Sequence, residues 1–303
     1  MIFADLLEEV YLGVSANKVR SGLTMLGIVI GIASVIAMLS IGQGAKAQIE
    51  ANIQSIGSNL LLVMPGAQRG LGAQVNAGRG SAQSLTYADA QALEGLGGVK
   101  AVAPETSRRY QLTAKGANTN TQVVGTTPAY PGVRNLALAS GSFVTAAHLA
   151  SRAKVAVLGP TVRDDLFGEG ADPLGAQVRI NNVLFTVIGV TAPKGGSGFA
   201  NQDDTVFVPF TAMAAFLTGN ETVTTIAVQA DNAGTMAATQ AAVTDALLAR
   251  HKLPSAAQAD FTVLNQADLV STASSITDTF TTLLASIAGI SLLVGGIGIM
   301  NMM

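Results

Sequence analysis

SGLTMLGIVIGIASVIAMLSIGQGA, residues 21–45, carries no charged side chain across 25 positions, and it decides what kind of protein the rest can be. A helix of that length reaches about 37 Å, enough to cross a hydrocarbon core of about 30 Å. A second uncharged stretch of equal length, TFTTLLASIAGISLLVGGIGIMNMM, occupies 279–303. Residues 46–278 between them have the mixed composition of a globular domain. This partition explains the totals: 12% charged residues, a net charge of −2 and a mean hydropathy of +0.43 suit neither an ordinary soluble protein nor a polytopic bundle. The sequence predicts a membrane-anchored α+β protein with a transmembrane helix at each end of an extracytoplasmic segment.

The first apolar stretch competes with a cleaved signal peptide, and Ala45-Lys46-Ala47 imitates a cleavage site. The 20 residues ahead of it are too long for an n-region and contain Asp5, Glu8 and Glu9, so a retained anchor is expected. Lys18 and Arg20 precede the span, whereas Lys46 stands alone beyond it until Arg69. The positive-inside bias then puts the N-terminus in the cytoplasm of an inner-membrane protein and residues 46–278 in the periplasm. Residues 1–20 read as a cytoplasmic amphipathic helix with Phe3, Leu6, Leu7, Val10 and Val14 on one face. It either lies on the inner membrane surface or simply extends the first span. Within the spans, at 21–45 and 279–303, small residues recur four apart: Gly27 and Gly31, Ala33 and Ala37, Ala285 and Gly289. These are the candidate helix-packing residues, with membrane lipid as the other neighbour. Gly295-Gly296-Ile297-Gly298 does not complete a G-x-G-x-x-G and follows no strand, so it is not a nucleotide loop.

Beyond the first span, Ile49, Ile53 and Ile56 continue a helical stripe as a stalk up to Gly57. Residues 59–64 (NLLLVM) have a buried-strand pattern stopped by Pro65-Gly66, and the Gly-, Ala-, Gln- and Ser-rich 66–84 reads as a mobile loop. Thr86-Tyr87-Ala88-Asp89 has capping-box spacing and opens a helix; a strand follows at 99–103. The same order returns downstream, with a strand at 222–230, a helix at 236–253 and a strand at 261–264. Residues 46–105 and 221–278 thus form two halves of one split βαβ, ferredoxin-like (porter-like) subdomain with stalk helices. The stretch 106–220 is a β-rich inserted subdomain, with strands expected at 108–115, 121–125, 154–158, 177–180, 183–190 and 205–209. Asn181-Asn182 makes a two-residue hairpin turn because Asn tolerates positive φ.

No catalytic set emerges, and no metal or cofactor site is expected. There is no cysteine, and no G-x-S-x-G elbow is present. His148 and His251 are far apart in sequence, and His148 has no second ligand at i+4. Asp164-Asp165 and Asp203-Asp204 read as solvated carboxylates, and Arg108-Arg109 as a solvated edge with partner docking as the alternative. With no tryptophan and near-neutral charge, a nucleic-acid surface is excluded.

Several stretches together resemble the MacB-type permeases of ABC transporters: NKVRSGLTMLGIVIGIASVIAMLSIGQGA (17–45), SIGSNLLLVMPG (55–66), GSFVTAAHL (141–149), KVAVLGPTVRDDLFG (154–168), NNVLFTVIGVTAPKGGSGFANQDDTVFVP (181–209) and SLLVGGIGIMNMM (291–303). The wider group includes FtsX and the lipoprotein-release permeases, and the loop at 193–204 favours MacB. The resemblance implies a four-helix permease with a periplasmic core domain after its first span. It implies a dimer (a homodimer or paired permease), a cytoplasmic ABC ATPase, a periplasmic adaptor protein and an outer-membrane channel. Transmission of movement would expel substrate without a covalent step. No G-x-x-x-x-G-K-[ST] is present, so ATP hydrolysis is expected in a partner and the chain is expected to be non-catalytic. The sequence stops inside the second span, so it reads as a fragment. Two alternatives stand beside efflux: an FtsX-like regulator of a cell-wall hydrolase, and a membrane-tethered binding or sensor module.

Overall fold

The computed structural model describes residues 18–55, 59–66, 84–195 and 202–302. The expected amphipathic helix before Lys18 and most of the expected loop between β1 and Thr86 lie outside these. The chain divides into two units, Met1–Asn52 with Leu269–Met303, and Ile53–Asp268. The first unit holds most of two long helices. Helix α1 (Lys18–Ser55) runs unbroken for 38 residues. Its Met25–Gly44 segment is the one candidate membrane span by length and apolarity among the described residues.

The second unit is built on a ten-stranded sheet. Strand β1 (Leu60–Pro65) leads to helix α2 (Tyr87–Leu93), then to β2 (Val99–Ala114) and β3 (Ala117–Thr126). Next come α3 (Tyr130–Val133), β4 (Leu138–Gly141), α4 (Ala146–Ala150), β5 (Val155–Leu158) and α5 (Pro160–Phe167). The hairpin of β6 (Gln177–Ile180) and β7 (Val183–Thr191) precedes β8 (Thr205–Pro209) and α6 (Phe210–Met213). Strand β9 (Thr225–Ala230), helix α7 (Met236–His251) and β10 (Phe261–Asn265) close the unit, and α8 (Gln266–Met302) leaves it. The strand order is β10-β1-β9-β2-β3-β8-β5-β7-β4, with β6 beside β2 and β7. Asn181 and Asn182 take φ values of 45° and 67°, as the two-residue hairpin between β6 and β7 requires.

Strand β2 is the surprise. The sequence suggests two strands separated near Pro104, yet one 16-residue strand runs through it. Up to Glu105 it pairs with β9; from Thr106 it pairs with β3. The Glu105 carbonyl accepts from the Thr224 N–H on the β9 side, whereas that of Pro104 accepts from the Thr126 hydroxyl on the β3 side. The N–H that proline lacks therefore falls where the β3 ladder has not begun, and no strand bond is lost.

Because side chains alternate across a strand, each end of the sheet supports its own core. Leu61, Val63, Val102, Ile226 and Val228 bury one face of the β10–β2 end against Leu93 of α2 and Val243 and Leu247 of α7. At the other end, Leu112, Val123, Val178, Phe185 and Val206 pack with Val162 and Leu166 of α5 and Met213 after α6 begins. The residues that alternate with the first set, Leu60, Ala103 and Ala227, face the opposite way and meet Val133 of α3.

Candidate functional site in the helix pair and the sheet junction

Among the described glycines of the helical unit, Gly42 of α1 has a close neighbour on α8. A Cβ there would lie 2.8 Å from the Thr281 hydroxyl oxygen of α8. That hydroxyl already donates to the Thr277 carbonyl at 2.8 Å, so it cannot swing away without losing a bond. The predicted packing residues occupy other positions. Gly31 is buried, Gly27 is half-buried, and Ala33, Ala37, Ala285 and Gly289 are exposed; nothing lies within 4 Å of a Cβ built at Gly27 or Gly289. Sequence reasoning passed over Gly42 and Thr281. The signal was present: the four-residue row through Gly289 and Ala285 reaches Thr281 one turn earlier. Along α8, Ser275, Thr279, Thr281, Thr282 and Ser286 each donate to the carbonyl four residues back. A hydroxyl-rich helix satisfied in this way leaves those hydroxyls content in an apolar surrounding.

The sheet junction holds a largely buried arginine–carboxylate pair. Glu105, where β2 changes partner, accepts from both Nε and Nη2 of Arg134 at 2.7 Å, just after α3. Burial pushes the Glu105 carboxyl above its ordinary value, and the Arg134 charge offsets only part of that. Lys194 adds a third member, its ammonium donating to the Arg134 carbonyl at 2.8 Å. Burial, with the Arg134 charge beside it, depresses the lysine. Asp203 fixes the loop base by accepting from the backbone N–H groups of Lys194 and Gly195. Tyr130 is raised by burial and then by Glu105. Neither Glu105 nor Arg134 was singled out in the sequence, and only the topology brings them together.

A second polar cluster closes the β10–β2 end. Asp89 completes the expected capping box, accepting from the backbone N–H and hydroxyl of Thr86 at 2.9 and 2.7 Å. It also accepts from Nε of Arg250 at 2.9 Å. His251 lies between two carboxylates, with Nε2 3.4 Å from Asp89 and Nδ1 2.8 Å from Asp260. The other sequence candidates are dispersed. Thr145 and His148 share a capping box, Arg109 pairs with Asp204 at 3.0 Å, Arg163 pairs with Asp164 at 2.7 Å, and Asp165 accepts from Thr119. Among the described residues no group of three His, Asp or Glu could hold a metal ion.

An apolar helix of membrane length joined to a mixed α/β domain has the layout of a membrane-anchored protein with a separate folded domain. The family follows. Residues 21–246 match the model of the MacB-like periplasmic core domain, and the chain belongs to that family. It is 44% identical over 289 residues to the macrolide export ATP-binding/permease protein MacB of Azoarcus sp., covering 95% of this chain and 42% of that protein. It is 40% identical over 304 residues to the namesake from Bdellovibrio bacteriovorus, covering 99% and 46%. It is 35% identical over 292 residues to the pyoverdine export ATP-binding/permease protein PvdT of Pseudomonas entomophila, covering 95% and 42%. The chain therefore spans less than half the length of these relatives. In fold it is similar to the periplasmic region of MacB from Actinobacillus actinomycetemcomitans, with a TM-score of 0.61 and 23% identity over 73% of this chain and 95% of that one. It is also similar to the extracellular domain of the noncanonic ABC-type transporter YknZ from Gram-positive bacteria, with a TM-score of 0.55 and 20% identity over 68% and 100%.

Proposed function

We propose that this chain is the membrane-anchored periplasmic part of an ABC-type efflux permease that passes movement, rather than atoms, between its two ends. The observation that carries the reading is the continuity of α1. Its 38 residues form one rod of about 57 Å, longer than the hydrocarbon core, so displacement of the apolar stretch reaches the helix's far end. Helix α8 (Gln266–Met302) provides a second such rod, and we read 279–303 as the second span. Lys18 and Arg20 orient the N-terminus to the cytoplasm. Gly27, Gly31, Ala33, Ala37, Ala285 and Gly289 would then meet neighbouring helices of the assembled dimer, joined by Gly42 at Thr281.

We read the folded unit, Ile53–Asp268, as the core of a porter-like subdomain at 46–105 and 221–278 with a β-rich insert at 106–220. The order β10-β1-β9-β2 with α2 and α7 on one face supports a ferredoxin-like layout. The chain itself performs no chemistry. ATP would be hydrolysed by an ATP-binding part outside residues 1–303, and a periplasmic adaptor and outer-membrane channel would receive the substrate.

The test uses the complete permease carrying this region, reconstituted with its ATPase in vesicles. Gly42→Leu should force α1 and α8 apart, and substrate-stimulated ATP turnover should fall at least tenfold while the ATPase still binds. Unchanged turnover would exclude coupling through this helix pair. If the adaptor has no effect and a cell-wall hydrolase is activated instead, the FtsX-like reading replaces efflux.

A further inference from the structure

The insert returns a short helix to the sheet end it does not belong to. Helix α3 follows β3, which belongs to the far end of the sheet. Yet Val133 is fully buried against Leu60, Ala103 and Ala227, on the β1–β9–β2 face that α2 and α7 leave open. Tyr130 of the same helix packs against that cluster as well and sets its ring 5.1 Å from Phe207 and 6.2 Å from Phe143. One four-residue helix thus touches two separate cores. Its end is held twice by polar groups: Arg134 by Glu105 at the partner change of β2, and the Arg134 carbonyl by the Lys194 ammonium.

Without these contacts, the two ends of the sheet would be joined by β2 and by α6, whose Phe210 is buried in the first core and Met213 in the second. Thr106 and Ser107 add hydrogen bonds to Thr222 and Thr224, and Tyr87 stacks on Phe210 at 4.6 Å across the other face. A single strand changing partners over two residues is a natural bending point, because few contacts cross it. We propose that α3 is a clamp: Tyr130, Val133 and Arg134 hold the two ends of the sheet as one rigid body and suppress hinging of β2 at Pro104–Thr106. This goes beyond the efflux reading, since it holds whatever substrate is carried and whatever drives the helices.

The protein contains no cysteine, which makes the test direct. Asp245→Cys on α7 and Glu169→Cys after α5 place spin labels at exposed sites on the two ends of the sheet in the full chain. The parent should give one narrow distance distribution, and the Glu105→Gln/Arg134→Met variant should broaden it about twofold. Should that variant lose its cooperative thermal transition, Arg134→Lys decides, because it keeps the charge opposite Glu105 but loses the two-nitrogen fork. Broadening in Arg134→Lys supports the clamp. A distribution as narrow as the parent's in a folded variant overturns it and assigns the rigidity to β2 and the Tyr87–Phe210 stack.

Discussion

Asp89 and Glu105 are both carboxylates withdrawn from water, with side chains 7% and 13% exposed, yet their acidities move in opposite directions. Burial raises both. At Glu105 a single guanidinium opposes it and loses. At Asp89, burial is outweighed by the Arg250 hydrogen bond, the hydroxyl and backbone of Thr86, and the His251 charge, and the carboxyl is held below its ordinary value. Their surroundings explain the contrast. Asp89 begins a helix at the end of the unit, where unpaired N–H groups and long cationic side chains gather. Glu105 sits mid-strand, where backbone donors are already spent on the ladder. A buried acid in this fold is thus costly at the junction and supportive at the cap.

The largest effect should come from removing the guanidinium that faces Glu105. Arg134→Ala leaves a buried carboxylate unpaired and should destabilise the folded unit by about 3–5 kcal/mol in chemical denaturation. Replacing both members, Glu105→Gln with Arg134→Met, should recover most of that. A single-variant cost below about 1 kcal/mol would mean that Glu105 reaches water and that the contrast with Asp89 is false. Asp89→Ala comes next, at about 2 kcal/mol, since it removes the cap and the contacts to Arg250 and His251 at once.

The pH dependence should have opposite signs at the two sites. The folded pKa of Asp89 is depressed, so its contribution is complete above about pH 4 and is lost as pH falls through the folded value. The folded pKa of Glu105 is raised, so its ionised form opposes folding at neutral pH, and protonation relieves this as pH falls through the raised value. The stability gap between parent and Asp89→Asn should therefore shrink on acidification. The gap between parent and Glu105→Gln should move in favour of the parent, each by at most about 1.4 kcal/mol per pH unit. Parallel slopes would remove the distinction.

What the sequence disclosed and what it hid follow the same division. The cap at Asp89 was legible because Thr86 and Asp89 are three residues apart, and local spacing fixes local geometry. The Asn181-Asn182 turn was legible for the same reason. The Glu105–Arg134 pair was not: the residues are 29 positions apart, and they meet only because β2 runs on through Pro104 where a break was expected. Gly42 falls between these cases. Thr281 continues the readable Gly289–Ala285 row, but Gly42 has Met38 and Lys46 at that spacing and lies on a helix more than two hundred positions away.

The smallest effects belong to the outer members of each comparison. Arg250 is 41% exposed, and Asp89 keeps its Thr86 donors without it. Arg250→Ala should therefore cost only about 0.5–1 kcal/mol and lose much of that in 1 M salt, where screening extends over only about 3 Å. The Arg109–Asp204 pair, with side chains 55% and 26% exposed, sets the lower bound, and Arg109→Ala should cost about 0.5 kcal/mol or less. The order Arg134, Arg250, Arg109 is then an order of how completely each guanidinium is the sole answer to a buried acid. Thermal denaturation of the three alanine variants at low and high salt measures it. If Arg250→Ala proves as damaging as Arg134→Ala, the Thr86 donors contribute little, and Asp89 is held ionised mainly by Arg250.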